Sequence, residues 1–271
     1  VFSVRINPMI DILLTNDDGY QAIGFYPLLK ELSKKFNVVA VVPDSKMSWK
    51  GKSITYNKDI IVEKKQLEEF EVYAVSGTPA DCVQIGLYDL LSTRPKFVVS
   101  GINIGSNAGH GRVLSSGTAG AGMEAAIDGV KALASSLDIS FEKDDEIDYF
   151  DRNFYHIYEN SAKITAKLVE IILSQPLNDD VDLVSVNIPF EATLETPVQT
   201  TSIAREKYGQ LFHGDGKTFK YSSQTASKEG FPSGTDIHAL NNDEISITPI
   251  SLDLTSEKSK QELNTLIQKS W

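Results

Sequence analysis

The chain has 271 residues, 41% hydrophobic and 23% charged. At about 150 residues per domain that is one large domain or two small ones, with enough apolar chain to form a core without disulfide or metal staples. Its 26 Lys and Arg against 37 Asp and Glu leave a net charge of −11, which repels polyphosphate backbones and argues against a general nucleic-acid partner. The single cysteine, Cys82, excludes an intrachain disulfide framework and a cysteine-based zinc site, and the apolar runs fall far short of the roughly 20 residues of a membrane helix. A soluble, cytoplasmic protein with no membrane partner is expected.

Residues 10–14 (IDILL) form a short apolar run of the kind buried in a parallel sheet. A helix is expected at about 24–35, with Pro27 in its first turn. A second buried strand follows at 38–42, ended by Pro43. Between 53 and 64, Ile54, Tyr56, Ile60 and Val62 flank Asn57-Lys58-Asp59, a pattern that predicts a hairpin. Residues 72–75 read as a third core strand, and Val83, Leu87, Leu90 and Leu91 recur at helical spacing after it. Residues 97–99 are a fourth, and Met123, Ile127 and Val130 are expected to line one helix face.

Beyond 140 the pattern is weaker. A solvated turn is expected at 144–146, a long helix through Ile157, Ile164, Leu168 and Ile171, and strands at 183–186 and 245–250. The polar stretch 200–234 reads as an extended hairpin or arm, and Leu263, Leu266 and Ile267 as a terminal helix capped by Thr255 or Ser256. Alternating strands and helices predict an α/β fold with a Rossmann-like, doubly wound, mostly parallel sheet.

Each of the four early strands ends in polar residues: 16–19 (NDDG), 44–48 (DSKMS), 76–81 (SGTPAD) and 100–107 (SGINIGSN). Open α/β sheets bind ligands outside those carboxyl ends, so the four clusters make one candidate site. Asp17 and Asp18 would repel one another unless a cation compensates; with Ser48 and Asn103 they form an all-oxygen set suited to Mg²⁺, Mn²⁺ or Ca²⁺. An isolated Asp-Asp-Gly is ordinarily a surface turn, but its place directly after a buried strand favours the site. Thr78-Pro79-Ala80-Asp81 is a helix cap that fixes the loop lining that site. Ser115, Ser116, Gly117 and Thr118 precede a helix and offer hydroxyls, free N–H groups and the helix dipole to a phosphate.

Rival motifs fail. No G-x-G-x-x-G follows the first strand, no G-x-S-x-G occurs, and Gly216-Lys217-Thr218 lacks the leading glycine of a P-loop. The four histidines show no ligand spacing; His110, the one within a site cluster, reads as a surface or structural residue before a general acid. Trp49, Lys50 and Lys52 read as a solvated loop before a phosphate or base contact.

At these residues the chain resembles the SurE family, metal-dependent 5′/3′-nucleotidases. The resemblance is carried by 12–19 (ILLTNDDG), 42–48 (VPDSKMS), 77–83 (GTPADCV), 99–107 (VSGINIGSN) and Ser116-Gly117-Thr118, in the family's order. Residues 186–189 (VNIP), 204–208 (AREKY), 234–236 (GTD) and 246–249 (SITP) are similar to its C-terminal part. It implies one divalent ion per subunit, Mg²⁺ or Mn²⁺, on Asp17, Asp18, Ser48 and Asn103, with Asp17 and Asp18 as the catalytic pair. It also implies a phosphate held by Asn107 and the Ser116-Gly117-Thr118 turn, and a homodimer or homotetramer built with a C-terminal arm or helix. The expected organisation is a Rossmann-like catalytic core at 9–140, a C-terminal part at 141–271 with an oligomerisation arm at about 200–234, and an upstream extension at 1–8. Two departures lie where a base or sugar would approach: Trp49 stands where the family often has glycine, and Ser115 where it often has tyrosine.

The expected activity is hydrolysis of nucleoside 5′-monophosphates to nucleoside and phosphate, with 3′-monophosphates and short polyphosphate as further substrates. A metal-bound water would attack phosphorus; direct attack by an aspartate is the alternative, although the Asp-x-Asp of aspartyl phosphatases is absent. The rival reading is a non-catalytic nucleotide-binding module of the same fold.

Overall fold

The short aliphatic runs become the middle of one sheet, because strands covered on both faces must be apolar throughout. The computed structural model describes residues 9–139, 151–175, 177–221 and 230–270. Its strands are β1 (Ile12–Thr15), β2 (Val38–Pro43), β3 (Val62–Leu67), β4 (Phe70–Val75), β5 (Phe97–Ile104), β6 (Ala132–Asp138), β7 (Leu183–Pro189), β8 (Val198–Thr200), β9 (Phe212–Gly214), β10 (Phe219–Tyr221) and β11 (Ile245–Ile250). Nine of them form one sheet in the order β3-β4-β2-β1-β5-β6-β7-β11-β8, and β9 and β10 pair as a separate hairpin. Every pairing from β4 to β7 is parallel, while β3 and β11 join antiparallel. Strands from both sides of residue 140 therefore share one sheet.

The helices are α1 (Phe25–Ser33), α2 (Pro79–Ile85), α3 (His110–Ser115), α4 (Gly117–Ile127), α5 (Tyr155–Ser174), α6 (Asp236–Asn241) and α7 (Glu257–Ser270). Side-chain alternation along β1 builds a core on each face. Ile12 and Leu14 pack with Phe25, Leu28 and Leu32 of α1 and Tyr158 and Ile164 of α5. Leu13, from between them, packs with Val83 of α2 and Ala119 and Met123 of α4. Among the described residues no helix is long and apolar enough to cross a membrane.

Four differences from the sequence reading have physical causes. No hairpin spans 53–64: Asn57 does turn the chain, at φ +61°, but the Thr55 N–H is taken by Asp81 Oδ1 at 3.0 Å, and pairing begins only at Val62 opposite Val75. The hairpin is β3–β4, turning at Glu68, where φ is +50°. Strand β6 is rich in Ala and Ser rather than β-branched residues, because α4 lies close: a Cβ on Gly122 would sit 2.5 Å from Leu183 Cδ1 and 3.4 Å from Ala132 Cβ. The short helices α3 and α6 carry no extended apolar period. Ile127 and Ile171, read as core positions, are exposed near the ends of α4 and α5. The turn at 144–146, the extension at 1–8 and residues 222–229 of the arm lie outside the described residues.

Glycine also sets the distance between α4 and the loop after β2. A Cβ on Gly120 would lie 2.6 Å from the Gly51 carbonyl oxygen, and the Gly51 N–H donates to the Ser115 carbonyl at 2.9 Å. Gly120→Ala should therefore lower stability. The helix-propensity gain is at most about 1 kcal/mol, against an overpacking cost of about 1–3 kcal/mol at a backbone atom that cannot swing away. Urea unfolding checks the sign; an unchanged or raised midpoint would show slack in this contact.

Candidate active site

The chain leaves β1 toward β2 and β4 on one side and returns to β5, β6 and β7 on the other. The crevice between the carboxyl ends of β1 and β5 is thus the point where strand order reverses, the usual ligand position in open α/β sheets. The turn after β1 occupies it. Buried Asn16 closes this turn from both sides: Nδ2 donates to the Gly19 carbonyl at 2.9 Å and Oδ1 accepts from the Gly19 N–H at 3.0 Å. Gly19, at φ +92°, takes the left-handed conformation that lets the turn close.

That clip fixes Asp17 and Asp18 side by side. Asp17 is 3% exposed, and its Oδ1 accepts from Thr118 Oγ1 of α4 at 2.5 Å. Asp18 Oδ2 accepts from the Ile104 N–H at 3.2 Å, and its Oδ1 lies 3.5 Å from Lys46 Nζ. Burial, and then the neighbouring Asp18 charge, push the Asp17 carboxyl up to about 6. Burial also raises Asp18, against the opposing pull of Lys46 and the Ile104 N–H.

Two buried carboxylates with one largely exposed lysine nearby form a charge deficit that a hard dication would offset. The neighbouring oxygens fit such an ion. The Met47 N–H donates to the Asp17 carbonyl at 2.7 Å, which brings the following residue, Ser48, to the turn. Asn103 Nδ2 donates to the Gly105 carbonyl at 2.5 Å, leaving its Oδ1 as the amide atom for a ligand. A register shift in β5 between Ser100 and Asn103 accompanies this placement, around Gly101 at φ +146°, where a Cβ would lie 2.5 Å from the Ser135 carbonyl oxygen. Among the described residues no three His, Cys, Asp or Glu side chains gather as a metal group; the charged groups here are two carboxylates, with neutral oxygens nearby.

The residues expected to hold phosphate lie together, but most of their side chains are engaged within the protein. Ser116 is the N-cap of α4, its Oγ accepting from the Ala119 N–H at 3.0 Å. The Thr118 hydroxyl is given to Asp17. Ser115 Oγ donates to the Gly111 carbonyl at 3.0 Å and pairs with Tyr208 Oη at 2.6 Å. Asn107 braces the sheet edge: Nδ2 donates to Ser136 Oγ at 2.8 Å, and its N–H donates to Asn187 Oδ1 at 2.7 Å. The N–H groups of Gly117 and Thr118, the first helical residues, have no intrahelical acceptor, the kind of group an anion at a helix start can use. A Cβ on Gly117 would sit 2.9 Å from Asp17 Oδ2, so glycine lets the start of α4 come up against the carboxylate.

Several participants carried no signal that sequence spacing could isolate. Lys46 belongs to the polar cluster after β2 but has no motif of its own. Buried Asp236 accepts the N–H groups of Gly109, Ala204 and Ile237, each at 2.8 Å, and so joins the entry to α3 to the C-terminal part. Glu206, raised by burial, lies 3.3 Å from Arg112 Nε. His110 is exposed at the start of α3, its N–H donating to the Ala204 carbonyl at 2.9 Å. Thr78 and Asp81 complete the expected capping box and also hold the loop, through the Ser53 carbonyl at 2.5 Å and the Thr55 N–H. Trp49, at φ +62°, packs against Tyr208 with ring centroids 5.8 Å apart and against Tyr221 at 5.5 Å.

Known proteins resemble this chain over most of its length. The family model described as survival protein SurE matches residues 12–210. A 5′-nucleotidase SurE of Methanocella arvoryzae is 36% identical over 266 residues, covering 96% of this chain and 98% of that protein. One of Methanocaldococcus jannaschii is 38% identical over 256 residues, 91% of this chain and 93% of that protein. The crystal structure of the SurE protein from Aquifex aeolicus superposes with a TM-score of 0.77 at 29% identity, covering 95% of this chain and 99% of that one. With the match running from β1 past β8, and the relatives alike along nine-tenths of their length, this chain belongs to the SurE family.

Proposed function

We propose that the chain is a 5′-nucleotidase that hydrolyses nucleoside 5′-monophosphates with a divalent metal, Mg²⁺ or Mn²⁺, one per subunit. The observation that carries this reading is the buried Asp17–Asp18 pair set against the first turn of α4, acid and anion cradle in one crevice. Carboxylates repel phosphate unless a cation lies between them, so this juxtaposition suits a metal-bridged phosphate ester. The names of the relatives supply the substrate class.

Asp17, Asp18, Ser48 and Asn103 would hold the ion, which when bound supplies Lewis acidity toward phosphoryl oxygens and lowers the pKa of a water. Thr118 fixes the Asp17 rotamer through its hydrogen bond. Asp18 Oδ1, with Lys46 alone at 3.5 Å, is the carboxylate oxygen free to orient the attacking water. The N–H groups of Gly117 and Thr118 stabilise charge growing on the equatorial phosphoryl oxygens. The water oxygen bonds to phosphorus, the ester P–O bond breaks, and the nucleoside oxygen leaves with a proton.

The C-terminal elements suit assembly. Leu263, Leu266 and Ile267 of α7 and Phe212 and Phe219 of the β9–β10 hairpin are exposed on the single chain, and a homodimer or homotetramer would cover them.

Phosphate release from a panel of nucleoside monophosphates should require Mg²⁺ or Mn²⁺ and vanish in EDTA. Asp18→Asn should lower kcat at least about a hundredfold with an unchanged circular dichroism spectrum. Absence of release from folded protein with any metal would turn the reading toward a nucleotide-binding module.

The raised Asp17 also fixes a pH dependence. Between the ordinary value of 3.8 and about 6, the folded metal-free chain keeps a proton that the unfolded chain has released. The stability this proton confers is fully present below the lower value and is lost as pH rises through the upper one. Mn²⁺ should therefore raise the melting temperature more at about pH 7.5 than at about pH 5, where protons compete for the same oxygens. Asp17→Asn should remove most of that difference. An equal Mn²⁺ shift at both pH values would contradict the ligand assignment.

Light scattering tests the assembly: Leu263→Asp with Ile267→Asp should lower the oligomeric mass if α7 packs between subunits, and an unaltered mass would remove α7 from the interface.

A further inference from the structure

The nucleotidase reading leaves one feature beside the site without a role. Trp49 directly follows Ser48 and stands at φ +62°, a conformation unfavourable for a bulky side chain and kept only where the surroundings enforce it. Those surroundings are identifiable. Gly51 is locked to the Ser115 carbonyl and against Gly120, and Lys52 Nζ lies 2.6 Å from buried Glu124 Oε2. Trp49 is nonetheless 49% exposed. Its neighbours Tyr208 and Tyr221 lie in the segment before β9 and in β10, with Phe212 beside Tyr221 at 6.1 Å. Tyr208 Oη meets Ser115 Oγ at 2.6 Å and donates to the Gly111 carbonyl, so the aromatic group begins at the turn that faces the phosphate.

A nucleoside monophosphate whose phosphate lies at Gly117 and Thr118 needs a flat apolar surface for its base close by. Aromatic faces serve any base through stacking, and a purine offers the larger face. We propose that Trp49, with Tyr208 and Tyr221, is the base-binding subsite, the open indole face stacking on a purine. This rests on the 5′-nucleotidase reading and adds a specificity residue to it: the chain selects nucleotides over simple phosphate esters, and purines over pyrimidines, through Trp49.

Hydrolysis of AMP, CMP and β-glycerophosphate with Mn²⁺ tests the proposal in wild type, Trp49→Ala and Trp49→Phe. Removing the indole should lower the ratio of kcat/KM for AMP to that for β-glycerophosphate by about 5- to 150-fold, mostly through the KM for AMP. Trp49→Phe should restore much of it, and the AMP-over-CMP preference should shrink in Trp49→Ala. If Trp49 only pins the hairpin, Trp49→Ala lowers all three substrates in parallel and the ratio stays put, which overturns the proposal. A second measurement is independent of catalysis. In Trp271→Phe protein, where Trp49 is the remaining tryptophan, adenosine added in EDTA should quench its fluorescence while ribose 5-phosphate does not. Quenching without phosphate release from any substrate would refute the hydrolase reading and leave the base subsite standing. No quenching by adenosine would refute the subsite even in an active nucleotidase.

Discussion

Two carboxylates buried side by side are the constraint to which the rest of this site answers. Burial makes both charges harder to hold, and the Asp18 charge raises the proton affinity of Asp17 further. Every neighbouring element meets part of that demand. Asn16 and Gly19 hold the turn, Thr118 gives its hydroxyl to one carboxylate, the Ile104 N–H supports the other, and Lys46 places one positive charge 3.5 Å from Asp18. One lysine charge set against two carboxylates leaves a negative excess. The cation proposed for the site would answer that demand, and the proposed chemistry starts from it.

The scaffold makes the arrangement possible because strand direction and strand order are separate matters. Parallel pairing from β4 through β7 delivers the polar ends of β1, β2, β4 and β5 to one edge, and the reversal of order between β1 and β5 opens the crevice there. Residues far apart in sequence, such as Asp18 and Ile104, then share a hydrogen bond. The C-terminal part is bound into the same structure: β7 and β11 extend the sheet, and the Asp236 carboxylate holds the backbone on both sides of the boundary near α3.

Much of this was legible in the chain, for reasons that differ element by element. Strands β1, β2, β4 and β5 announce themselves because a strand covered on both faces has little choice but aliphatic residues, and the polar residues that follow them must then lie at one edge. Strand β6 was invisible because close helix packing demanded Ala and Ser, which carry no strand preference. The hairpin misplaced at 53–64 shows a local turn, Asn57, overruled by a long-range contact from Asp81. The candidate site residues stand out in the sequence as a group through their position in the order of elements. How they divide the work was not legible: that Thr118 serves Asp17, that Ser116 serves the helix and that Asn107 serves the sheet depends on rotamers fixed only by packing.

The seating of Gly120 against Gly51, with the Lys52–Glu124 ion pair beside it, joins the loop of Ser48 and Trp49 to the helix that begins at the phosphate-facing turn. Loop and helix are thereby tied to each other when the chain folds, and their mutual placement does not have to be ordered again at each encounter with a ligand. Tyr208 and Tyr221 belong to separate elements joined to the loop by side-chain contacts with Trp49. Trp49 itself, proposed to stack on the base, is carried on the same backbone as Ser48, so recognition and chemistry share one support and a change to either is felt by the other.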